Sequence, residues 1–482
     1  MDNGLLLLLI ILLPFAGSFI LPLLGLASTS ARNILCLIFV GCSLIFSMSI
    51  LPVVMSGTNI SIAMPNILGS GIFLADKLAV FMAMVSSMVG AIIVFYSFGY
   101  ISHYEHQNEY YWMVCLFLGS MMGLVFSNNL LVLYVFWEVT AIASWRLIGF
   151  FRDKKIVLKA DKAFLVTVFG SLMMLLGFIM VYQQAGSFDL TVIKERLQHT
   201  PISDTAVAFI LMGILAKSAT LPLHTWLPDA GVAPSPVTAL LHAAVLVKIG
   251  VYVYARLFVA TFQISDVWHV IVPVIAGTSA IVSAGAAFVE TDMKRIIAYS
   301  TISQIGFIFL GLSIGNGMGL AGGLLYILMH GMAKGGLFLC AGIIEHQTHT
   351  KDITKMGGLI EKMPVTAAAF LLCAFSVMGI PPFGGFFSKY MVIAGAAGSG
   401  QMAITYVFVI GAFMTMIYLF RLFRMIFLGK VNTEPDGKEG TPGMVFSVAL
   451  LAVLSLAAGI FIALPSDIVS SAVTQMTGMV IR

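Results

Sequence analysis

Charged side chains are scarce in this chain, since Asp, Glu, Lys and Arg together make up 10% of its 482 residues. A typical soluble domain contains about 25% of these residues. Hydrophobic residues account for 60% of the sequence, which is more apolar surface than a soluble protein of this length could bury. The composition therefore excludes a soluble enzyme and indicates an integral membrane protein, for which lipid replaces water as the solvent.

Cysteine is also rare, and no two cysteines have the C-x-x-C spacing that is typical of iron–sulfur or zinc ligands. All five lie within apolar segments: Cys36, Cys42, Cys115, Cys340 and Cys373. We interpret them as small buried hydrophobic residues. The segment 317–322 matches G-x-G-x-x-G, but no strand precedes it, so a nucleotide site is not expected there. We expect no cofactor in this chain.

Long apolar runs recur from one end of the chain to the other. Each has about the 20 residues that a helix needs to cross a hydrocarbon core about 30 Å thick. Transmembrane strands would require an alternation that these runs lack. We therefore predict an all-α integral membrane protein of about fourteen transmembrane helices. The predicted helices cover residues 4–26, 32–55, 74–101, 112–127, 129–150, 160–184, 204–227, 236–261, 267–290, 295–314, 319–344, 364–397 with a break, 402–428 and 444–465.

The basic residues indicate how the chain is oriented, because cytoplasmic loops are enriched in Lys and Arg. If the N-terminus is external, the loops that face the cytoplasm contain most of the basic residues: Arg32, Arg152, Lys154, Lys155, Lys159, Lys294, Arg295, Lys351, Lys355, Lys362, Arg424, Lys430 and Lys438. The opposite loops contain little beyond Lys77, Lys194 and Arg196. We predict a multi-pass protein of the cell membrane, plasma or inner, with both termini outside the cytoplasm.

Two of the predicted helices are interrupted by prolines close to a lysine. The interruptions lie in segments 217–229 and 379–389. Paired interrupted helices in the two halves of a chain are typical of inverted-repeat transporters. We predict two inverted five-helix repeats, each with one broken helix. The predicted division is residues 1–111 for the N-terminal helices, 112–261 for the first repeat, 262–428 for the second repeat, and 429–482 for a loop and the last transmembrane helix.

Seven ionisable side chains at membrane depth are the candidate ion-pathway residues. A charge at the centre of a transmembrane helix costs roughly 2.5–3.5 kcal/mol, so it is retained where it faces protein, water or a partner. The seven are Glu138, Lys217, His242, Lys248, His330, Lys334 and Lys389. His330 and Lys334 are four residues apart and share one helix face. His242 lies about 240° around an ideal helix from Lys248, so we expect it to face a different neighbour.

A row of buried lysines has the chemistry to pass protons. Desolvation penalises the ammonium form, and a nearby carboxylate stabilises it. We expect Glu138 to control the protonation of Lys217, and His330 to bridge two lysines because histidine titrates near neutrality. The alternative is that these charges only orient helices, but four lysines on separate helices with two breaks favour conduction. Snorkelling to the membrane surface is expected for three arginines nearer helix ends: Arg146, Arg256 and Arg421.

Six stretches around these residues form a recognisable pattern: 136–138 (FWE), 216–229 (AKSATLPLHTWLPD), 235–244 (SPVTALLHAA), 292–301 (DMKRIIAYST), 330–334 (HGMAK) and 379–389 (GIPPFGGFFSK). With them the chain resembles, over nearly its whole length, the antiporter-like subunits shared by complex I, membrane-bound [NiFe] hydrogenases and Mrp-type multisubunit cation/proton antiporters. Two positions depart from the pattern. Trp145-Arg146 follows Ser144 where the family often has Tyr and a hydrophobic residue, and Gly170-Ser171 lies where some members have an acidic residue.

The resemblance implies a role for each matching residue. Glu138 and Lys217 match the coupled pair on the fifth and seventh helices. Lys248 matches the eighth-helix lysine. On the eleventh helix, His330 and Lys334 match the residues that link the two halves. Lys389 matches the twelfth-helix group that gates the far exit.

Three functions remain open at this point. The leading hypothesis is a proton- or Na⁺-translocating subunit of a redox-driven complex, either a membrane-bound hydrogenase or a complex I-type quinone oxidoreductase. Iron–sulfur and [NiFe] or flavin centres would then lie in partner subunits, including a peripheral redox arm. The alternative is a subunit of an Mrp-type Na⁺/H⁺ antiporter with no redox partner. The third is a scaffold that anchors a soluble enzyme, against which the lysine row argues. We expect lipid and other membrane subunits, among them further antiporter-like subunits, as partners, and no nucleic acid.

Overall fold

The computed structural model describes residues 2–63, 71–431 and 439–479 and is almost entirely helical. Lys438, counted above among the basic loop residues, lies outside the described residues. The helices are α1 Asn3–Gly17, α2 Leu21–Ala27, α3 Thr29–Met55, α4 Lys77–Tyr100, α5 Gln107–Phe126, α6 Leu130–Ile148, α7 Lys154–Ala185, α8 Leu190–Arg196, α9 Asp204–Lys217, α10 Trp226–Asp229, α11 Ser235–Ala239, α12 Leu246–Tyr254, α13 Trp268–Val289, α14 Met293–Ser313, α15 Gly317–Thr348, α16 Pro364–Met378, α17 Gly384–Gly398, α18 Met402–Phe427, α19 Pro442–Ile460 and α20 Ala463–Thr477.

Within the described ranges, twelve helical segments are long and apolar enough to cross a membrane. The continuous segment Ser235–Val259, which contains α11 and α12, is one of them. We interpret the interrupted helices, formed by α9 with α10 and by α16 with α17, as two further crossings. The prediction of an all-α membrane protein with about fourteen crossings is confirmed. The division into two inverted repeats stays a prediction.

Polar caps set where many of these helices begin. The side chains of Asp76, Asn129, Asp153, Asp292 and Asn316 each accept a hydrogen bond from a backbone N–H in the first turn of the helix that follows. The first four N–H groups of a helix have no partner inside it, and Asp or Asn at this position satisfies one or two of them. Apolar sequence forms the crossing, and a capping residue sets its first turn.

The centre of the bundle is formed by α14, α15 and the segment 235–259. In the most apolar window of each, between 94% and 100% of the residues are buried, compared with 33% in α3 and α18. The two central helices approach closely through glycine. A Cβ added at Gly311 would lie 2.8 Å from the Cα of Gly323. Any residue larger than glycine at position 311 would therefore overlap with α15. Small residues at helix interfaces permit such close packing in membranes.

Both interrupted helices are present, and their loose ends are held by side chains. After α9 ends at Lys217, the backbone N–H of Leu221 donates to Ser279 Oγ at 3.0 Å. The indole N–H of Trp226 donates to the carbonyl of Ala216 at 3.0 Å. These bonds satisfy groups that the break would otherwise leave unpaired. In the second break, α16 ends at Met378 and is followed by Gly379, whose φ of 82° suits glycine.

The structure differs from the predicted elements in several places. The predicted helix 236–261 contains two π-helical turns, Leu240–Ala244 and Ala255–Val259. The last crossing ends at Ile460, and a separate helix, α20, follows, because Pro465 would clash with the backbone one turn earlier in a continuous helix. A short antiparallel sheet pairs β1 (Ile60–Ile62) with β2 (Phe73–Ala75).

Candidate ion pathway

Lys217 lies at the first break and is completely buried. Its Nζ donates to the backbone carbonyl of Trp137 at 3.0 Å and lies 5.2 Å from the centroid of the Trp137 ring. The carbonyl and the ring face provide a partial negative charge for the ammonium. The break positions this lysine, because α9 ends at Lys217 and leaves its side chain facing α6.

Glu138, the next residue after Trp137 on α6, exerts an electrostatic attraction on Lys217. The two residues do not form a direct ion pair within the described part of the chain. The Oε1 atom of Glu138 is buried and has no hydrogen-bond partner among the described residues. A buried carboxylate oxygen without a partner is rare in folded proteins and calls for an explanation, such as a water or an ion. The pairing predicted for Glu138 and Lys217 is thus electrostatic and indirect.

Lys248 on α12 and His330 on α15 are both completely buried, and Lys248 Nζ hydrogen-bonds to His330 Nδ1. Among the described residues, His330 Nε2 has no partner. Lys334 lies one turn further along α15. The histidine therefore lies on the same helix face as Lys334 and in direct contact with Lys248.

His242 lies on the first π-helical turn and faces a different neighbour from Lys248. Its ring packs on Phe338 with the centroids 4.3 Å apart. Neither ring nitrogen has a hydrogen-bond partner among the described residues, although the side chain is completely buried. The ideal-helix angle of about 240° does not apply, because the π turn intervenes and Val245 has φ −130° and ψ −74°.

Lys334 and Lys389 complete the row. Lys334 Nζ donates to Ser300 Oγ at 2.5 Å and to the carbonyl of Ile297 at 3.2 Å. Lys389 on α17 is 4% exposed, and its Nζ donates to the carbonyl of Val377 across the second break at 2.7 Å. No lysine of the row forms an ion pair with a carboxylate in residues 2–63, 71–431 and 439–479. Each contacts neutral oxygens, nitrogens or aromatic rings.

Four buried polar residues near this row were not identified from the sequence: Ser300, Gln304, Tyr326 and Tyr418. All are completely buried, and they are hydrogen-bonded to one another. The sequence contained a signal for this cluster, because Ser300 and Gln304 are one turn apart on an apolar helix that is almost completely buried. That spacing places both on one face.

Arg256 does not snorkel, which corrects the prediction. It is 6% exposed, and its guanidinium binds both carboxylate oxygens of Asp76 at 2.5 and 2.7 Å. This ion pair joins the segment 235–259 to the start of α4. Sequence spacing did not indicate it, because 180 positions separate the partners.

Ion pairs also join the helix ends on the side where most basic residues lie. Lys294 binds Glu345 at 2.6 Å, and Arg295 binds both Asp229 at 2.7 Å and Glu290 at 2.8 Å. Partial burial of Glu290 opposes its ionisation, but the hydrogen bond and charge of Arg295 prevail and hold the pKa of this loop carboxyl below its usual value. In the part of the chain that the structure describes, no group of three or more His, Cys, Asp or Glu is placed to hold a metal ion.

Residues 127–415 match the sequence model of a family described as NADH:quinone oxidoreductase/Mrp antiporter, transmembrane. A Na⁺/H⁺ antiporter subunit of Staphylococcus haemolyticus, designated A1, is 34% identical over 435 residues, which cover 84% of this chain and 54% of that protein. A Na⁺/H⁺ antiporter subunit of Alkalihalophilus pseudofirmus is 35% identical over 418 residues, 80% of this chain and 52% of that protein. The chain thus spans about half the length of these curated relatives.

Two solved structures have the same fold. A chain of the Mrp complex from Dietzia sp. DQ12-45-1b superposes with a TM-score of 0.89 at 22% identity and covers 99% of this chain and 98% of its own. A chain of the membrane-bound sulfane sulfur reductase, an archaeal respiratory membrane complex, superposes with a TM-score of 0.90 at 24% identity, covering 98% of both chains. At these identities the likeness shows the fold alone.

The leading functional hypothesis, a subunit of a redox-driven complex, is wrong. The relatives that are more than 30% identical are subunits of Na⁺/H⁺ antiporters, which favours the alternative. The peripheral redox arm, with the iron–sulfur, [NiFe] or flavin centres expected in partner subunits, depended on the redox-driven hypothesis and has no support in these relatives.

Proposed function

Because this chain belongs to the membrane-embedded family shared by NADH:quinone oxidoreductases and Mrp antiporters, we propose that it is an ion-translocating subunit of an Mrp-type Na⁺/H⁺ antiporter. Exchange would be driven by ion gradients, with no redox partner. The observation that carries the proposal is the row of four buried lysines, two of which, Lys248 and Lys334, lie in the central helical segments. Isolated charges at this depth are costly, so a row of them without carboxylate partners calls for a function.

The lysine row carries H⁺, and Na⁺ follows another route. Na⁺ requires several oxygen ligands, and an ammonium beside its path repels it. A lysine amine binds a proton covalently and releases it again when its surroundings change. In this proposal Glu138 sets when Lys217 holds its proton, and Lys248, His330 and Lys334 pass the proton on. Lys389 beside the second break releases it at the exit.

His242 contributes to this route as a docking point for water. It is buried, neither of its ring nitrogens has a partner among the residues that the structure describes, and it lies on a π-helical turn, a distortion that is frequent at functional sites. One water at each nitrogen would connect the ring with its surroundings. His242 would thus add a water-linked branch to the proton route beside Lys248.

The chain works within a membrane complex. It is a multi-pass membrane protein, and we place it in the plasma membrane with both termini external, because the basic loops alternate with loops of little charge. Other membrane subunits, including further antiporter-like subunits, would cover part of its apolar surface. We also propose that segments 112–261 and 262–428 are inverted repeats, since each contains one interrupted helix beside a pathway lysine.

Antiport in inside-out membrane vesicles tests the proposal. A pH-sensitive dye reports proton movement when Na⁺ is added to vesicles that contain the assembled complex. Lys217→Ala should abolish the Na⁺-dependent signal, while the exposed control Lys155→Ala should retain it, at equal amounts of complex. If Lys217→Ala retained exchange, the lysine row would be excluded as the proton route. If exchange required an electron donor, a purely gradient-driven antiporter would be excluded.

A further inference from the structure

Four polar side chains occupy the space between Lys334 and Lys389. Ser300 and Gln304 lie on α14, Tyr326 on α15 and Tyr418 on α18. All four are completely buried. Polar groups in such a position form networks that are either fully satisfied or functional.

The hydrogen bonds of these residues are all oriented in one direction. Tyr326 Oη donates to Gln304 Oε1 at 2.6 Å. The Gln304 amide donates to Tyr418 Oη at 3.5 Å, and Tyr418 Oη donates to Ser300 Oγ at 2.8 Å. Ser300 Oγ also accepts the 2.5 Å bond from Lys334. Within the four residues the donors therefore point from Tyr326 toward Ser300, and the bond from Lys334 reaches Ser300 from the opposite side.

Gln304 is the weak position in this chain of bonds. Its link to Tyr418, at 3.5 Å, is at the outer limit of a hydrogen bond, and the same amide donates to Thr415 Oγ1 at 3.2 Å. The chemistry is also unsuited to proton transfer. A hydroxyl accepts and donates through one oxygen, whereas a Gln amide accepts on Oε1 and donates from Nε2. A proton that entered at Oε1 and left from Nε2 would leave the imidic acid tautomer behind.

Lys389 approaches this network through aromatic ring faces and not through a hydrogen bond. Lys389 Nζ lies 4.6 Å from the centroid of the Phe307 ring and 5.7 Å from that of the Tyr326 ring. Its hydrogen bond goes to the carbonyl of Val377 and away from the Tyr326 hydroxyl. The ammonium is stabilised in place by the ring faces, so it is close to the network and not bonded into it.

We propose that Ser300, Gln304, Tyr326 and Tyr418 form the proton connection between Lys334 and Lys389, and that the Gln304 amide keeps this connection closed. This inference rests on the proposed function, since it specifies how protons move between two lysines of the row. Ser300 and Tyr418 are the relaying hydroxyls on the Lys334 side, and Tyr326 is the hydroxyl on the Lys389 side. Gln304 is a positioning residue that holds the two sides together without conducting.

Proton transfer then occurs in a balanced sequence when a water molecule replaces the amide as the bridge. Once its ammonium leaves the Val377 carbonyl, Lys389 gives one proton to the Tyr326 hydroxyl, and Tyr326 passes its own hydroxyl proton to this water. The water passes one of its protons to Tyr418. Tyr418 passes its own hydroxyl proton to Ser300, and Ser300 passes its proton to the neutral amine of Lys334. Each hydroxyl ends with one proton, and one positive charge has moved from Lys389 to Lys334. Without the water, the amide interrupts the sequence and prevents a passive leak.

The decisive variant is Gln304→Glu, because a carboxyl group accepts and donates the same proton. The assembled complex is reconstituted in liposomes without Na⁺, and an acid pulse is followed with an internal pH dye. The variant should leak protons roughly a hundredfold faster than wild type, the size typical of a positioned acid–base group. Gln304→Leu should not leak. Equal leaks for Gln304→Glu and wild type would overturn the inference.

A second variant decides the question if Gln304→Glu does not assemble. Tyr418→Phe removes one hydroxyl and should slow Na⁺-driven antiport roughly a hundredfold. Tyr254→Phe is the matched control, because Tyr254 is also buried but lies outside the network, and it should exchange at the wild-type rate. Equal rates in the two Phe variants would overturn the inference. Wild-type antiport in the same assay tests the proposed function, so its absence is distinguishable from a failure of the network alone.

Discussion

Lys248 and His330 are hydrogen-bonded partners at the centre of the bundle, although 82 positions separate them in the sequence. This bond joins α12, which follows the π-helical turn, to α15, which carries Lys334 one turn later. It makes α15 the element through which the first lysines of the row connect to the last. Mutations at this contact should therefore separate the two halves of the pathway.

His330→Ala should reduce Na⁺-driven proton exchange by roughly a hundredfold, the contribution typical of a positioned acid–base group. The imidazole is the direct contact of Lys248, and alanine leaves that ammonium without its partner. Exchange in inside-out vesicles, normalised to the amount of assembled complex, measures the effect. His199→Ala, in an exposed loop, is the control. Normal exchange in His330→Ala would remove the histidine from the pathway.

Glu138→Gln should slow exchange across pH 6–9 without changing assembly. The substitution keeps the shape of the side chain and removes the charge that attracts Lys217. Rates measured over this pH range, beside Glu195→Gln at an exposed position, test the prediction. If the two variants gave the same pH profile, Glu138 would have no part in controlling Lys217.

Asp76→Asn should destabilise the protein by about 3–5 kcal/mol, because it leaves the buried guanidinium of Arg256 without its counter-charge. Replacing both partners, as in Asp76→Asn with Arg256→Gln, should recover part of the loss. Thermal unfolding of the purified protein in detergent measures both. Asp467→Asn, at an exposed position, should unfold at the wild-type temperature. If Asp76→Asn unfolded at the same temperature as Asp467→Asn, the ion pair of Asp76 and Arg256 would not contribute to stability.

Gly311→Ala should destabilise the protein by about 1–3 kcal/mol, the usual penalty for overpacking a core. The new methyl group would meet the backbone of Gly323 at 2.8 Å and force α14 away from α15. Gly41→Ala is a matched control, since a Cβ there meets no atom within 4 Å. The difference between their unfolding temperatures tests the prediction, and equal temperatures would show that the two helices can separate freely.

Glu290 should make stability depend on pH. Its pKa in the folded protein is below the usual value, so its contribution is complete above the unfolded pKa of about 4.3. The contribution is lost as the pH falls through the lower, folded pKa. Glu290→Gln should therefore lower the unfolding temperature at pH 7 and have less effect at the acid end. An identical effect at both pH values would contradict this assignment.

The sequence identified the candidate pathway residues, whose roles stay predictions, and it did not indicate which residues they contact. Lys217 and Lys389 stand out because an isolated charge in an apolar segment beside prolines is costly. The same reasoning did not identify Tyr326 or Tyr418, because a tyrosine in a transmembrane helix is common and its partner is distant in sequence. Arg256 was assigned to the wrong environment for the same reason.

By itself, the sequence determined that this is a membrane protein, where its helices lie and which family it belongs to. Those properties depend on local hydrophobicity, on capping residues and on short motifs. The tertiary structure alone decided that Lys248 meets His330, that Asp76 pairs with Arg256, and that Gln304 lies between Tyr326 and Tyr418. These contacts depend on the packing of helices far apart in the chain, and the spacing of residues along one helix contains no information about the helix that will face it.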